Sequence, residues 1–178
     1  MIQDKLKILI VEDNLNDTRL IEYHIRKIVA EPEIVSVDTF DGFVEALDLF
    51  IPDIILSDYR MSGFTGMEVL KYTNEHSEVS DFIFITGTIY DEELAAQTIL
   101  SGATGYVLKK NINQLNQKLL PYFEKLVLKR KELFPSGYED MLNTIQSFVD
   151  SASKENQAHV DSYLQIKKAI NKIRQSGS

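Results

Sequence analysis

The chain has 178 residues, 44% of them hydrophobic and 26% charged, and a net charge of −8. The length suits one globular domain of about 120–150 residues with an extension. The acidic balance argues against nucleic acid as a direct partner, because phosphate binding needs a basic surface, and only Lys125 to Lys131 forms a local basic patch. With no cysteine, disulfides and thiolate metal sites are excluded and a reducing, cytoplasmic compartment is expected. The first residues lack a cleavable signal pattern, and no apolar run approaches a membrane span.

Leu6 to Val11 is short, apolar and β-branched and ends in Glu12-Asp13-Asn14, which reads as a buried strand with acids at its C-terminal end. Asn14 or Asn16 can cap the helix that follows, whose stripe is Ile21, Ile25, Ile28 and Val29, with Glu31-Pro32 as its stop. Ile34 to Val37 is a second strand. Asp41-Gly42 opens a second helix with Val44, Leu47 and Phe50 or Ile51 facing inward. Ile54-Ile-Leu-Ser-Asp58 is a third strand, apolar until it delivers a carboxylate at its end.

A loop from Gly63 to Gly66 precedes a third helix with Met67, Val69, Leu70 and Tyr72 on or near its core face. Phe82 to Thr86 is a fourth strand, broken by Gly87-Thr88. A fourth helix is expected from Asp91 through Leu94, Ala95, Thr98 and Ile99, closed by Ser101-Gly102. Tyr106 to Leu108 is a fifth strand, leading into Lys109-Lys110-Asn111. A last helical pattern covers residues 112–133, and Pro121 within it predicts a kink or a fresh start.

Five βα units imply an α/β fold with a parallel sheet covered on both faces. Five strands suit the flavodoxin-like doubly wound order 2-1-3-4-5, with ligands outside the C-terminal strand ends. That edge receives Glu12 and Asp13 from strand 1, Asp58 from strand 3, Thr86 from strand 4 and Lys109 from strand 5. Strands 1 and 3 are neighbours in this order, so three carboxylates crowd together and call for neutralisation. A hard divalent cation such as Mg²⁺ suits oxygen ligands of this kind, and Lys109 adds a positive charge. A carboxylate can act as a nucleophile toward phosphorus, with metal and lysine stabilising the transferring oxygens. Asp58, alone on its strand, is the best candidate.

The acidic pair Glu12-Asp13, Leu-Ser-Asp58-Tyr-Arg-Met, Ile-Thr86-Gly and Val-Leu-Lys109 together resemble the receiver domain of bacterial two-component response regulators, of the chemotaxis type, over roughly residues 4–130. The resemblance implies a phospho-accepting signalling domain rather than an enzyme. It implies that Asp58 accepts phosphate from a sensor histidine kinase or phosphotransfer protein. Glu12 and Asp13 would position Mg²⁺ together with Asp58 and the backbone carbonyl of Arg60. Thr86 and Tyr106 would form a switch that alters contacts with a downstream protein target. Gly87 matches a position that keeps the phosphate accessible. Two positions depart from the family pattern: Ser62 and Lys110 stand where proline is usual. A cis non-proline bond costs about 3–4 kcal/mol, so Lys109-Lys110 is expected to be trans.

Asp17 reads as a capping or loop acid, and Arg60 as a loop residue that either shields the phosphoryl group or pairs with Glu68. The histidines His24, His76 and His159 have no metal-ligand spacing and receive no role. The receiver is expected to span residues 1–134. Residues 135–178 are expected to form a helical extension whose apolar positions (Met141, Ile145, Phe148, Ala152, then His159, Tyr163, Ile166, Ile170, Ile173) recur at coiled-coil-like spacing. It would serve as a homodimer contact, dock on the receiver, or link to a further domain. Rival readings are a pseudo-receiver that only binds proteins, a receiver fragment of a hybrid signalling protein, and an aspartyl phosphohydrolase, which commonly has a second acid where Arg60 stands. A flavodoxin would need a phosphate-cradling loop where Glu12-Asp13 would repel phosphate.

Overall fold

A computed structural model of the chain describes residues 1–77, 81–87, 92–110 and 112–133. The chain divides into two compact units, Met1–Leu126 and Val127–Ser178. The extension expected from residue 135, Thr88 of the expected break after strand 4, and Asp91 at the expected start of the fourth helix lie outside the described residues.

The elements alternate: β1 (Lys7–Val11), α1 (Leu15–Ile25), β2 (Glu33–Val37), α2 (Phe40–Leu49), β3 (Ile54–Ser57), α3 (Gly66–His76), β4 (Asp81–Thr86), α4 (Glu92–Leu100), β5 (Gly105–Leu108) and α5 (Leu115–Leu133), the last preceded by a 3₁₀ turn at Ile112–Gln114. The strands form one sheet in the order β2-β1-β3-β4-β5, parallel throughout. This is the flavodoxin-like doubly wound fold. β1 and β3 are central and almost wholly buried, while the edge strand β2 is partly exposed. That explains why strands 1 and 3 read as unbroken apolar runs.

Alternation along the strands splits the core. Leu9, Val11, Ile55, Phe82 and Phe84 join Phe43, Ala46 and Leu47 of α2 and Val69 and Leu70 of α3 in one apolar cluster. Ile8, Ile10, Ile54, Leu56, Ile83 and Ile85, also buried, point to the other face. His24 of α1 is buried and lies 3.2 Å from Asn116 Oδ1, and its Nδ1 is 3.4 Å from the Asn116 backbone nitrogen at the start of α5. It is a structural tie between two helices.

Two local expectations are corrected. Helix α1 ends at Ile25, before Glu31-Pro32, because the segment after it pairs with the N-terminus: Ile2 bridges Val29, its N–H donates to Ile28 O at 2.8 Å, and its carbonyl accepts from Ala30 N–H at 2.9 Å. Ile28 and Val29 are therefore buried outside the helix. In α4, Thr98 is buried and Ile99 is 48% exposed. Helix α5 is not restarted at Pro121, which lies inside it. Pro121 and Gln117 are both exposed, so the carbonyl deprived of its partner can be hydrated, while Leu119, Phe123 and Leu126 stay buried on the packed side.

The chain between β3 and α3 is folded tightly beneath the candidate site. Thr65 caps α3 and forms a capping box with Glu68, and Gly66 N–H donates to Tyr59 O at 2.9 Å. A methyl group on Gly66 would collide with the Asp58 carbonyl oxygen and with the Phe84 ring. Gly66→Ala is expected to cost about 1–3 kcal/mol of stability, read as a lower urea midpoint with an unchanged slope.

Candidate functional site

The C-terminal edge of the sheet gathers Glu12, Asp58 and Lys109 because β1, β3 and β5 each stop one residue before them. Glu12 follows β1, and its N–H donates to Val37 O at 3.0 Å. Asp58 follows β3, and its N–H donates to Val11 O at 3.0 Å. Lys109 follows β5, and its N–H donates to Thr86 O at 2.8 Å. Each side chain is thus presented by a backbone still held by its neighbouring strand.

The centre of the site is the Lys109 ammonium. It donates to Glu12 Oε2 at 2.6 Å, to Asp17 Oδ2 at 2.7 Å and to Asp58 Oδ2 at 3.0 Å. An ammonium has three N–H groups, and three carboxylates take them. The Lys109 side chain is 10% exposed, Glu12 1%, Asp58 13% and Asp17 32%. Burial by itself would push the lysine down, but the hydrogen bonds to Asp17 and Glu12 and the Asp58 charge overcome it and hold Lys109 above the ordinary lysine value. Glu12 moves the other way from a typical paired acid. Its burial raises its pKa, and the Lys109 bond and charge offset only part of this. One cation shared among three anions leaves the most buried one under-compensated.

Backbone donors fix the remaining oxygens. Asn14 N–H donates to Glu12 Oε1 at 3.1 Å and Tyr59 N–H to Asp58 Oδ1 at 2.6 Å. Asp13 is exposed, and its Oδ2 accepts from Ser62 N–H at 2.7 Å. The Ser62 N–H holds the Asp13 carboxyl below its usual range, with the Ser62 hydroxyl assisting. Proline at that position could supply neither donor, so Ser62 ties the loop after Asp58 directly to Asp13.

The remaining sequence-predicted residues surround this group. Thr86 ends β4 and is 2% exposed. Among the described residues, the nearest atom to a Cβ added at Gly87 would be Lys109 Cδ at 3.9 Å, an ordinary contact distance. Tyr106 is half-buried, packs against the apolar cluster and has its ring 6.5 Å from that of Phe84. Arg60 is exposed and bridges Thr65 through its backbone. It does not meet Glu68, whose carboxylate accepts from the Thr65 N–H and hydroxyl, both at 2.8 Å. The Lys109-Lys110 peptide is trans. Lys118 Nζ reaches the carbonyls of Leu108 at 3.4 Å and Lys110 at 3.1 Å, steadying the turn that carries Lys109.

The sequence reading missed Asp17. It is not a loop acid: it sits in the first turn of α1 and contacts Lys109. The signal available was its position four residues after Asp13 at a helix start, on the side facing the sheet edge.

The donors suit a hard cation, since Glu12, Asp13 and Asp58 offer oxygen only. Among the described residues, no group of three or more His, Cys, Asp or Glu side chains is arranged to hold a metal ion. Oxygen donors of this kind suit a hard ion that takes one or two carboxylates and keeps much of its water.

Comparison with known proteins bears on the family and the fold. The model of the response regulator receiver domain family matches residues 8–120. The transcriptional regulatory protein DegU of Brevibacillus brevis is 29% identical over 113 residues, covering 61% of this chain and 45% of that protein. The two-component response regulator ARR8 of Arabidopsis thaliana is 24% identical over 160 residues, covering 79% of this chain and 70% of that protein. The chain thus spans less than half of the length of DegU. Among solved structures, the response regulator domain of Thermotoga maritima CheB aligns with a TM-score of 0.62 at 18% identity, covering 69% of this chain and 96% of that one. The Mn²⁺-bound form of response regulator Rcp1 aligns with a TM-score of 0.53 at 20% identity, covering 65% of this chain and 90% of that one. The chain belongs to the response regulator receiver domain family, the signalling module of two-component systems. Among the described residues, no helix is long and apolar enough to cross a membrane.

The raised Glu12 yields a pH prediction. The folded state binds its proton more readily than the unfolded chain does. Stability from Glu12 is therefore greatest in acid and falls as pH rises from the ordinary carboxylate value through the raised one. In chelator at neutral pH, Glu12→Gln is expected to be more stable than wild type by on the order of 1 kcal/mol. The gain should shrink toward pH 4 in urea melts.

Proposed function

We propose that this chain is a phosphorylatable, chemotaxis-type receiver that accepts a phosphoryl group on Asp58 from a sensor histidine kinase or phosphotransfer protein. A carboxylate oxygen of Asp58 attacks the phosphorus of an N-phosphorylated imidazole. The P–N bond breaks, the imidazole leaves, and a P–O bond to Asp58 forms. Lys109 donates a proton-bearing contact to a phosphoryl oxygen as its charge is redistributed, and the Thr86 hydroxyl donates another. Glu12, Asp13, Asp58 and the Arg60 carbonyl would hold Mg²⁺, which would supply positive charge for the transferring oxygens. The Mn²⁺-bound form of the similar response regulator Rcp1 supports a divalent ion of this kind.

The observation that carries this reading is the Asp58 carboxylate, with Oδ2 3.0 Å from a nearly buried ammonium and Oδ1 anchored by its neighbour's N–H. It stands at the sheet edge beside the acidic pair. Rearrangement of Thr86 and Tyr106 then biases the surface formed by α4, β5 and α5 toward a downstream protein target. We assign residues 1–134 to the receiver. Residues 135–178 we assign to an interaction extension, serving a homodimer or a partner protein in the cytoplasm rather than nucleic acid or membrane. The Ser62 bond to Asp13 favours a second reading, a pseudo-receiver in which that acid is already engaged.

Intact mass after incubation with Mg²⁺ and acetyl phosphate separates the two. One added phosphoryl group is expected in wild type, absent without Mg²⁺ and absent in Asp58→Asn. Equal labelling of that variant contradicts the role of Asp58. An unlabelled wild type that also refuses phosphate from phosphorylated histidine kinases supports the pseudo-receiver.

A further inference from the structure

Asp17 lies outside the acids used above, yet its bond to Lys109 is shorter than that of Asp58: 2.7 Å against 3.0 Å. Its backbone is fixed. Asn14, the cap of α1, accepts from Asp17 N–H at 3.3 Å through its side chain. The backbone N–H of the same Asn14 donates to Glu12 Oε1 at 3.1 Å. One residue therefore sets the positions of both Glu12 and Asp17. A helix-capping duty does not account for Asp17, because Asn14 already caps the helix.

The two shorter bonds of the Lys109 ammonium, to Glu12 and Asp17, come from this single braced segment. They use two of its three N–H groups and leave the third for Asp58. The Lys109 ammonium sits at the end of a flexible four-carbon stem, so its position is set by what holds that far end.

We infer that Asp17 is a positioning residue that, with Glu12, clamps the Lys109 ammonium so that one N–H stays aimed at Asp58 and at the phosphoryl oxygens that arrive there. This rests on the reading of Asp58 as the phosphoryl acceptor. It makes a prediction opposite in sign to that of simple charge. Removing a carboxylate should favour an anionic phosphodonor by electrostatics, whereas losing an anchor should slow the transfer by misplacing a donor.

The test uses the full chain as wild type, Asp17→Ala, Asp17→Asn and Asp17→Glu. The Lys109 ammonium is observed by ¹H–¹⁵N NMR and assigned by its absence in Lys109→Arg. It is expected to be protected from exchange in wild type, lost in Asp17→Ala, and restored in Asp17→Glu. The rate of labelling by acetyl phosphate with Mg²⁺ is expected to fall roughly tenfold in Asp17→Ala, short of the about 100–1000-fold expected when a stabilising donor is removed outright. Asp17→Asn, which keeps an acceptor oxygen, should fall between, and the loss should persist in high salt. An unchanged ammonium signal in Asp17→Ala and Asp17→Asn overturns the clamp. An unchanged or raised rate, or a loss abolished by salt, also overturns it. If wild type takes no phosphoryl group, the role of Asp58 fails while the ammonium signal still decides whether Asp17 anchors Lys109.

Discussion

One nearly buried ammonium holds the functional edge of this protein together. Lys109 reaches back from the end of β5 to acids that follow β1, begin α1 and follow β3. Without it, the sheet would present several carboxylates at close range in a half-dry setting, where like charges and desolvation compound each other. With it, each of the three acids has a positively charged donor within hydrogen-bond distance. The order of the strands makes this geometry available, since β1 and β3 are adjacent and β5 lies two strands further on.

The compensation is incomplete, and this is chemically useful. Glu12 stays raised by burial, while Asp13 is lowered by Ser62. The site is thus divided into a dry, under-neutralised acid beside the lysine and an exposed, hydrogen-bonded acid at the rim. A group so arranged favours an added positive charge and an incoming anion that takes up the lysine's donors. Natural sites often trade folding stability for such reactivity. The backbone bonds that fix Asp58, Glu12 and Asp13 reduce the reorganisation needed when charge shifts among them.

Much of the fold was legible because its strands are short, buried and followed at once by polar residues. The order of Glu12, Asp13, Asp58, Thr86 and Lys109 along the chain was visible for the same reason. What was not legible depended on contacts between distant segments. The early end of α1 follows from the pairing of Ile2 with Val29, which no local pattern announces. The continuity of α5 through Pro121 follows from the side of the helix on which that residue falls. Asp17 looked like a capping or loop acid, and only the reach of Lys109 across the sheet edge distinguishes it. Ser62 was visible as a departure from proline, but the N–H it brings to Asp13 appears only when the loop is folded.

The central claim is that the Lys109-held carboxylate at the end of β3 is the group that carries phosphate. The most direct measurement is borohydride trapping after treatment with Mg²⁺ and a phosphodonor, followed by peptide sequencing by mass spectrometry. Reduction converts an acyl phosphate to an alcohol, so the account predicts homoserine at residue 58 and unmodified acids at residues 12, 13 and 17. Homoserine at any of those three positions, with residue 58 intact, would contradict it.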